Sequence, residues 1–452
     1  MNHTFFSDTQ TKSIPEKPRH PGQFFTWNEA TFATVYQMAG SLLATVTELQ
    51  PRPPAICLAT ENRAVIAAAL LAALCGGPGL LLPPSLSVGA LADMQQQTGF
   101  QVAISDTPDS LPPATTRLWP LPDKSASLHF NSSADDIIVH LFTGGSTGQP
   151  TIWPKNVANL LLEARYLVTT LSITNQDAIV ATISPIHIYG LLFSVLVPLV
   201  SSATIHPDSP LFPAEIETAL QQTGATILAA VPAHYRVLRN RQLSRSNLRL
   251  AVSSAGMLDP ADNTAFYQQN KVPVIEVYGS TETGGIATRN RMAGETAFTP
   301  FAPIDWQTDG ERLLVKSPFI SPNAQLNEAG FFRTGDRVEA LTDTTFLLQG
   351  RVDGIIKVGG KRVDLEKIRE VIKEQDGIQD CFVLTKTTDD GRGNHIQALV
   401  QGNDLDLNGL FAALQSILDP WALPRTIRQT TAIPMTGAGK YNLHAIRKLL
   451  EQ

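Results

Sequence analysis

Residues 137–151, IIVHLFTGGSTGQPT, run from an apolar, β-branched strand straight into small residues: Gly144, Gly145, Ser146, Thr147 and Gly148. Glycines packed this densely leave backbone N–H groups free to ring a phosphate, and Thr143, Ser146 and Thr147 add hydroxyl donors. The segment is not a Walker loop, because Gly148 is followed by Gln149 where that loop carries lysine. The same letters satisfy G-x-S-x-G, the nucleophile elbow of serine hydrolases with Ser146 as nucleophile, and they also suit an ordinary flexible turn. Taken alone, the stretch leaves all three readings open.

Outward from this loop, short apolar runs alternate with longer helical patterns. Strands are expected at 55–59, 79–82, 102–105, 137–142, 178–184, 226–231, 250–254 and 274–278. Helices are expected at 63–74, 88–97, 159–171, 190–200, 233–239 and 260–269. Such alternation predicts βα units, hence parallel sheets with helices on both faces. After Glu311 the pattern shortens to strand-like pieces, as for a small β layer. The polar stretch 350–354, GRVDG, then marks a boundary. Beyond it come a helix (365–374), strands (381–385, 396–401), a helix (407–417), a strand (425–430) and a helix (443–450). The expected fold is therefore α/β: a large N-terminal domain of doubly wound parallel sheets plus a small β layer (1–349), a hinge (350–354), and a small, mobile α+β C-terminal domain (355–452).

Bulk composition narrows the function. The chain has 452 residues, 43% hydrophobic and 17% charged, which excludes disordered and collagen-like classes. A net charge of -6 gives no basic face for a nucleic-acid backbone, so no nucleic-acid partner is expected. Cys57, Cys75 and Cys381 are far apart with no C-x-x-C or metal-ligand spacing, and read as structural thiols in a reducing compartment. The first residues are polar, with Asp8 and Glu16, and lack the apolar stretch of a signal peptide. The apolar run 64–75 is far short of the ~20 residues that cross a bilayer. A soluble, cytoplasmic protein without membrane association is expected.

Further motifs follow the loop in a fixed order: SSAGML (253–258), VYGSTETGG (277–285), GFFRTGD (330–336), GRVDGIIKVGGKRVDLEKI (350–368) and PMTGAGKYN (434–442). The series resembles the adenylate-forming superfamily of acyl-CoA synthetases, aryl-acid ligases and non-ribosomal adenylation domains, over nearly the whole chain. The resemblance implies an ATP- and magnesium-dependent acid–thiol ligase. It would form an acyl- or aryl-adenylate, release pyrophosphate, and pass the acyl group to a phosphopantetheine thiol of CoA or an acyl carrier protein.

A carboxylate attacking the α-phosphate of ATP needs a pyrophosphate cradle, a metal ion, a nucleoside clamp and a cation between two anions. The resemblance implies residues for each. Thr143–Gly148 hold the β- and γ-phosphates, Glu282 binds magnesium, and Thr281 donates to the α-phosphate. Tyr278, followed by Gly279, stacks on adenine with Ser254, Ala255 and Gly256 beside it. Asp336 accepts the ribose hydroxyls and Arg351 donates to the ribose. Lys440 bridges the acid and the α-phosphate as a compact charge, and Lys357 contacts the adenylate. His187, in SPIHIYGL, helps to form the acyl site. Asp353 matches the hinge, and Gly359 and Gly360 leave room for the pantetheine arm.

Two departures stand out. After Gly148-Gln149-Pro150 the family has Lys-Gly, whereas this chain has Thr151-Ile152 with Lys155 four positions on; a lysine contact to the γ-phosphate is thereby in doubt. The Glu282–Asp336 interval is also short, which implies a compact member. The acid is expected to be small, with the walls of its pocket around His187–Gly190, Val231–Tyr235 and Ser253–Gly256, plus Val277 and Gly284–Gly285. These residues are mixed small and aromatic, compatible with an aryl or a medium-chain acid, and the compactness favours aryl acids such as a hydroxybenzoate. Two rival readings remain: a serine hydrolase using Ser146, which leaves the later motifs unexplained, and a catalytically inactive AMP-binding scaffold, which retention of Glu282, Asp336, Arg351 and Lys440 opposes.

Overall fold

The computed structural model describes residues 14–143, 151–243, 247–351, 354–358, 361–387, 394–436 and 439–451. The chain divides into two compact units. One comprises the residues up to Trp306 together with Val315–Phe332; the other comprises Gln307–Leu314 and Arg333–Gln452. The strands after Gln307 thus group with the C-terminal residues, whereas the sequence pattern places a boundary at 350–354.

The first unit holds the expected parallel sheets. In the six-stranded one the order is Thr116–Arg117, Val102–Ser105, Ala55–Ala59, Gly79–Leu82, Ile137–Thr143 and Thr151–Asn156, parallel except for the last pair. The nine-stranded one has a parallel centre of Phe24–Thr26, Thr204–Ile205, Ala178–Ala181, Ile227–Ala230, Leu250–Ser253 and Val274–Ser280. Helix Arg63–Leu74 is apolar all round and every one of its residues is buried, as such composition demands of a helix inside a protein. Against it packs Phe32–Glu48, whose buried Val35, Tyr36, Ala39, Leu42 and Val46 recur at helical spacing. Among the described residues, no helix is long and apolar enough to cross a membrane.

The second unit carries residues of a four-stranded sheet ordered Asp305–Asp309, Arg312–Lys316, Phe332–Thr342 and Thr345–Arg351. A three-stranded sheet follows, made of Asp380–Thr387, Asn394–Gln401 and Thr426–Thr430. Its period-two alternation sorts side chains to opposite faces. Cys381, Val383, Ile396, Ala398 and Val400 meet Ile368, Ile372, Leu410 and Leu414 of helices Leu365–Lys373 and Leu407–Ile417. Phe382, Leu384 and Leu399 instead meet Ile446 and Leu450 of helix Leu443–Glu451. All three cysteines are buried and free, with burial pushing Cys57 and Cys381 up to about 12.

Two details of the first unit bear on what it can bind. Residues Ile188–Ser201 form one helical run whose middle, Leu192–Leu196, is a π-turn. Pro198 lies just beyond, where an α-turn would drive its ring into a preceding carbonyl, and the wider turn relieves that clash. At the start of the run a Cβ on Gly190 would lie 1.9 Å from the Ser184 carbonyl oxygen. The second detail is His234 on helix Pro232–Leu238, whose Nδ1 lies 2.7 Å from the Thr182 hydroxyl. Burial pushes its imidazole down to about 4.

Gly190→Ala should cost about 1–3 kcal/mol, because backbone rather than a flexible side chain blocks the new methyl. An unchanged urea midpoint would show that the 184–190 turn gives way. His234 predicts a pH effect whose sign follows from linkage. The unfolded chain takes up this proton near 6.5 and the folded one only near 4, so stability is full above pH 6.5 and falls as pH drops towards 4. His234→Gln should make that acid-side loss shallower in urea titrations at pH 7.5 and 5; identical losses in the two proteins would show that the imidazole does not titrate as stated.

Candidate active site

Adjacent parallel strands Ala178–Ala181, Ile227–Ala230, Leu250–Ser253 and Val274–Ser280 bring their carboxyl ends to one edge of the large sheet, where open α/β sheets receive ligands. The chain leaving each strand there carries a segment singled out by sequence: His187, residues 231–235, Ser254–Gly256, and Tyr278–Glu282. His187 is half-buried, in extended backbone at the start of helix Ile188–Leu191, and its ring does not cap that helix. Two buried tyrosines hold the strand ends in place. Tyr189 donates to the carbonyls of Ala230 (3.2 Å) and Val252 (3.0 Å), and Tyr235 donates to Val252 at 2.8 Å.

Ser254 joins two of the motifs, since its hydroxyl donates to the Val277 carbonyl at 2.7 Å. The next residue, Ala255, has φ +67, a left-handed conformation that costs a non-glycine residue about 1–2 kcal/mol. Held strain of this kind gathers at ligand-binding positions. Gly256 then faces Pro232, whose Cγ would be 3.5 Å from a Cβ there.

The next strand ends in a turn so tight that its glycines are obligatory. A Cβ on Gly279 would sit 2.3 Å from the Gly284 carbonyl oxygen, and one on Gly285 would sit 2.5 Å from the Phe301 ring. Gly284, at φ +68, faces Glu163 and Phe319 equally closely. Within the turn, buried Thr283 shares a 3.0 Å hydroxyl contact with Ser280, while Thr281 and Glu282 remain half-buried at its tip. Tyr278 precedes the turn with its ring tilted against Phe298 at 5.6 Å, and the Arg289 guanidinium covers Phe298 at 4.1 Å.

Behind the turn lies a charged pair that no motif announces. Lys155 is fully buried and donates to the carbonyls of Phe319 (2.9 Å) and Glu282 (3.4 Å). Buried Glu163 accepts the Gly285 N–H at 2.6 Å. Desolvation pushes the ammonium down and the carboxyl up, and each group opposes the other's shift. Lys155 therefore braces the Glu282 backbone and does not stand in for the lysine missing after Gly148.

Gly144, Gly145, Ser146, Thr147 and Gly148 lie outside the described residues. Their flanks nevertheless correct the hydrolase alternative. Strand Ile137–Thr143 is followed by strand Thr151–Asn156, paired antiparallel up to Thr143↔Thr151, and the helix begins only at Val157. A nucleophile elbow requires strand, turn, helix, and the described flanks run strand to strand instead. At the mouth of this hairpin the Thr143 hydroxyl oxygen accepts from the Trp153 indole at 3.2 Å, which leaves the hydroxyl's own hydrogen to donate.

In the second unit, Asp336 and Arg351 are register partners across an antiparallel pair, with Nη1 and Oδ1 3.6 Å apart. Asp336 is mostly buried, and its N–H donates to Thr334 Oγ1, which itself donates to the Leu313 carbonyl. Lys440 is exposed at the base of a hairpin and Lys357 stands on strand Ile355–Val358. Asp353, Gly359 and Gly360 lie outside the described residues. Among the described residues no group of three or more His, Cys, Asp or Glu side chains could hold a metal ion. Glu282 fits magnesium only as one carboxylate ligand beside phosphate oxygens and water, the usual style of that ion.

The family model described as AMP-binding enzyme matches residues 10–311. A 4-coumarate–CoA ligase of Halorhodospira halophila is 27% identical over 312 residues, 66% of this chain and 73% of that protein. A 2-succinylbenzoate–CoA ligase of Listeria monocytogenes is 26% identical over 378 residues, 78% of this chain and 75% of that protein. Among solved structures, ATP-bound MatB of Rhodopseudomonas palustris superposes with a TM-score of 0.84 at 18% identity, over 97% of this chain and 98% of that one. The chain belongs to the AMP-binding enzyme family, within the adenylate-forming superfamily.

Proposed function

We propose that the protein is an AMP-forming acid–thiol ligase, acting in the cytoplasm on a small carboxylic acid. The observation that carries this reading is the joining of Ser254–Gly256 to Tyr278–Glu282 through the Ser254–Val277 hydrogen bond, at the carboxyl ends of adjacent parallel strands. A strained backbone beside an aromatic ring and a hydroxyl–carboxylate turn suits adenosine and phosphate together. Tyr278 and Ser254–Gly256 bind adenine, Thr281 donates to the α-phosphate, and Thr143 with the following loop donates to the outer phosphates. Asp336 and Arg351 bind the ribose. Glu282 would hold magnesium, which supplies charge neutralisation for the phosphates.

Two anions must meet in adenylation, and Lys440 offsets their repulsion at the atoms that react. The acid's carboxylate oxygen bonds to the α-phosphorus as the bond to the pyrophosphate oxygen breaks. The thiol then attacks the acyl carbon and AMP leaves. His187 and residues 231–235 line the acyl end, where Thr182 and neutral His234 offer polar groups. An aryl acid such as a hydroxybenzoate is the favoured substrate, and the relatives named for coumarate and succinylbenzoate support that class. Residues 350–354, with Asp353 among them, are proposed as the hinge that lets Lys440 serve one half-reaction and withdraw for the other. The acceptor thiol is phosphopantetheine, on CoA or on a carrier protein.

Lys440→Ala should lower ATP–pyrophosphate exchange about a hundredfold, the scale of removing one electrostatic stabiliser, and should slow thiol transfer from supplied acyl-adenylate far less. Asp353→Pro should do the reverse, because a fixed φ hinders rotation. Equal losses in both halves for both variants would refute alternation. A panel of aryl and aliphatic acids in the exchange assay, followed by CoA against holo carrier protein, tests substrate and acceptor; absence of exchange with every acid would sink the ligase reading.

A further inference from the structure

We propose that Tyr441 is a positioning residue for Lys440, fixing the lysine's backbone through a buried charge network on the three-stranded sheet of the second unit. This rests on the reading that Lys440 acts in adenylation. The lysine ends a hairpin whose strands bridge at Met435 and Tyr441. Across that hairpin the Thr436 N–H donates to the Lys440 carbonyl (2.6 Å), the Lys440 N–H donates to Thr436 Oγ1 (3.2 Å), and the Asn442 N–H donates to the Pro434 carbonyl (2.9 Å). Adjacent side chains in extended backbone point to opposite sides, so Tyr441 turned inward sends Lys440 outward.

What holds Tyr441 inward is unusually costly for a surface hairpin. Its hydroxyl donates to Asp380 Oδ2 (2.9 Å) and accepts from Arg369 Nη2 (2.7 Å). Asp380 is only 2% exposed, and its Oδ1 accepts the Cys381 N–H at 2.8 Å. Arg369 is fixed in turn, donating to the Cys381 carbonyl (2.7 Å) and to Glu366 Oε1 (2.6 Å). The Tyr441 ring packs on Phe382 at 4.9 Å. Packing alone would be served by phenylalanine. The hydroxyl, aimed at a buried carboxylate and a guanidinium anchored on helix Leu365–Lys373, adds direction: it locks the residue next to Lys440 to the rigid sheet and helix. Displacement of a reacting group by about 1 Å costs up to about a hundredfold in rate, so directional anchoring next to the lysine has kinetic weight.

The test compares Tyr441→Phe, Lys440→Ala and the double variant of the full chain in both half-reactions, with thermal unfolding as a control. Tyr441→Phe should lower the maximal rate of pyrophosphate exchange about tenfold, with KM for ATP and acid unchanged. Transfer from supplied acyl-adenylate should be retained, and in the Lys440→Ala background the same change should cost nothing further. Exchange at the wild-type rate in Tyr441→Phe, beside a strong loss in Lys440→Ala, would overturn the positioning role alone; full exchange in Lys440→Ala would overturn the reading beneath it. Equal losses in both half-reactions, or additive losses in the double variant, would reduce Tyr441 to general stability and overturn the proposal. If Tyr441→Phe does not fold, Asp380→Asn weakens the same hydroxyl contact at constant volume and gives the same readout.

Discussion

The first unit depends on how closely the Gly279–Gly285 turn is drawn onto helix Val157–Thr170 and the Phe319 backbone. Glu163 takes the Gly285 N–H, Lys155 takes the Glu282 and Phe319 carbonyls, and no Cβ fits at Gly279, Gly284 or Gly285. Two opposite charges inside a protein are costly to desolvate and are tolerated when each also satisfies backbone groups. Here the charges end on carbonyls and an N–H of the turn that presents Thr281 and Glu282. The parallel strands bring the motifs to one edge, and this buried pair fixes the height at which the carboxylate stands above it.

Fold and site were legible in the sequence to different depths. Helix Arg63–Leu74 could be read from its unbroken apolar run, and helix Leu407–Ile417 from its bounds, because burial there follows period and composition. Strand Thr151–Asn156 is not legible in the sequence, where Pro154 argues against a strand. It is the edge of its sheet, where a missing N–H costs no ladder bond. Helix Phe32–Glu48 carries a readable helical period but lies ahead of the alternation that organised the reading.

Site residues sorted along another line. Tyr278, Thr281, Glu282, Asp336 and Arg351 are proposed from their order along the chain, and Asp336 and Arg351 face each other across a β pair. The burial of Lys155 with Glu163, the neutral imidazole of His234 and the Arg369–Asp380–Tyr441 network have no such signal in the sequence. Each matters because burial removes water from a charge or an imidazole, and a sequence does not say which of its charged residues lie inside. The Ser254–Val277 bond spans 23 positions and is a product of strand order rather than of local pattern.

The π-turn at Leu192–Leu196 makes chain length itself a structural parameter. A π-turn holds one residue more than the α-turn it replaces, so removing one residue from it would restore the α-ladder with little rotation of what lies before it, and would return the Pro198 ring to the preceding carbonyl. His187 and Gly190 lie just before that turn, at the acyl end of the proposed site. Apolar exchanges within 192–196 leave the wide turn in place, whereas a single-codon deletion would restore the clash at Pro198 without altering any residue named in the site. Among relatives of this enzyme, the count of residues between the histidine and the proline is therefore a geometric variable that residue identities do not record.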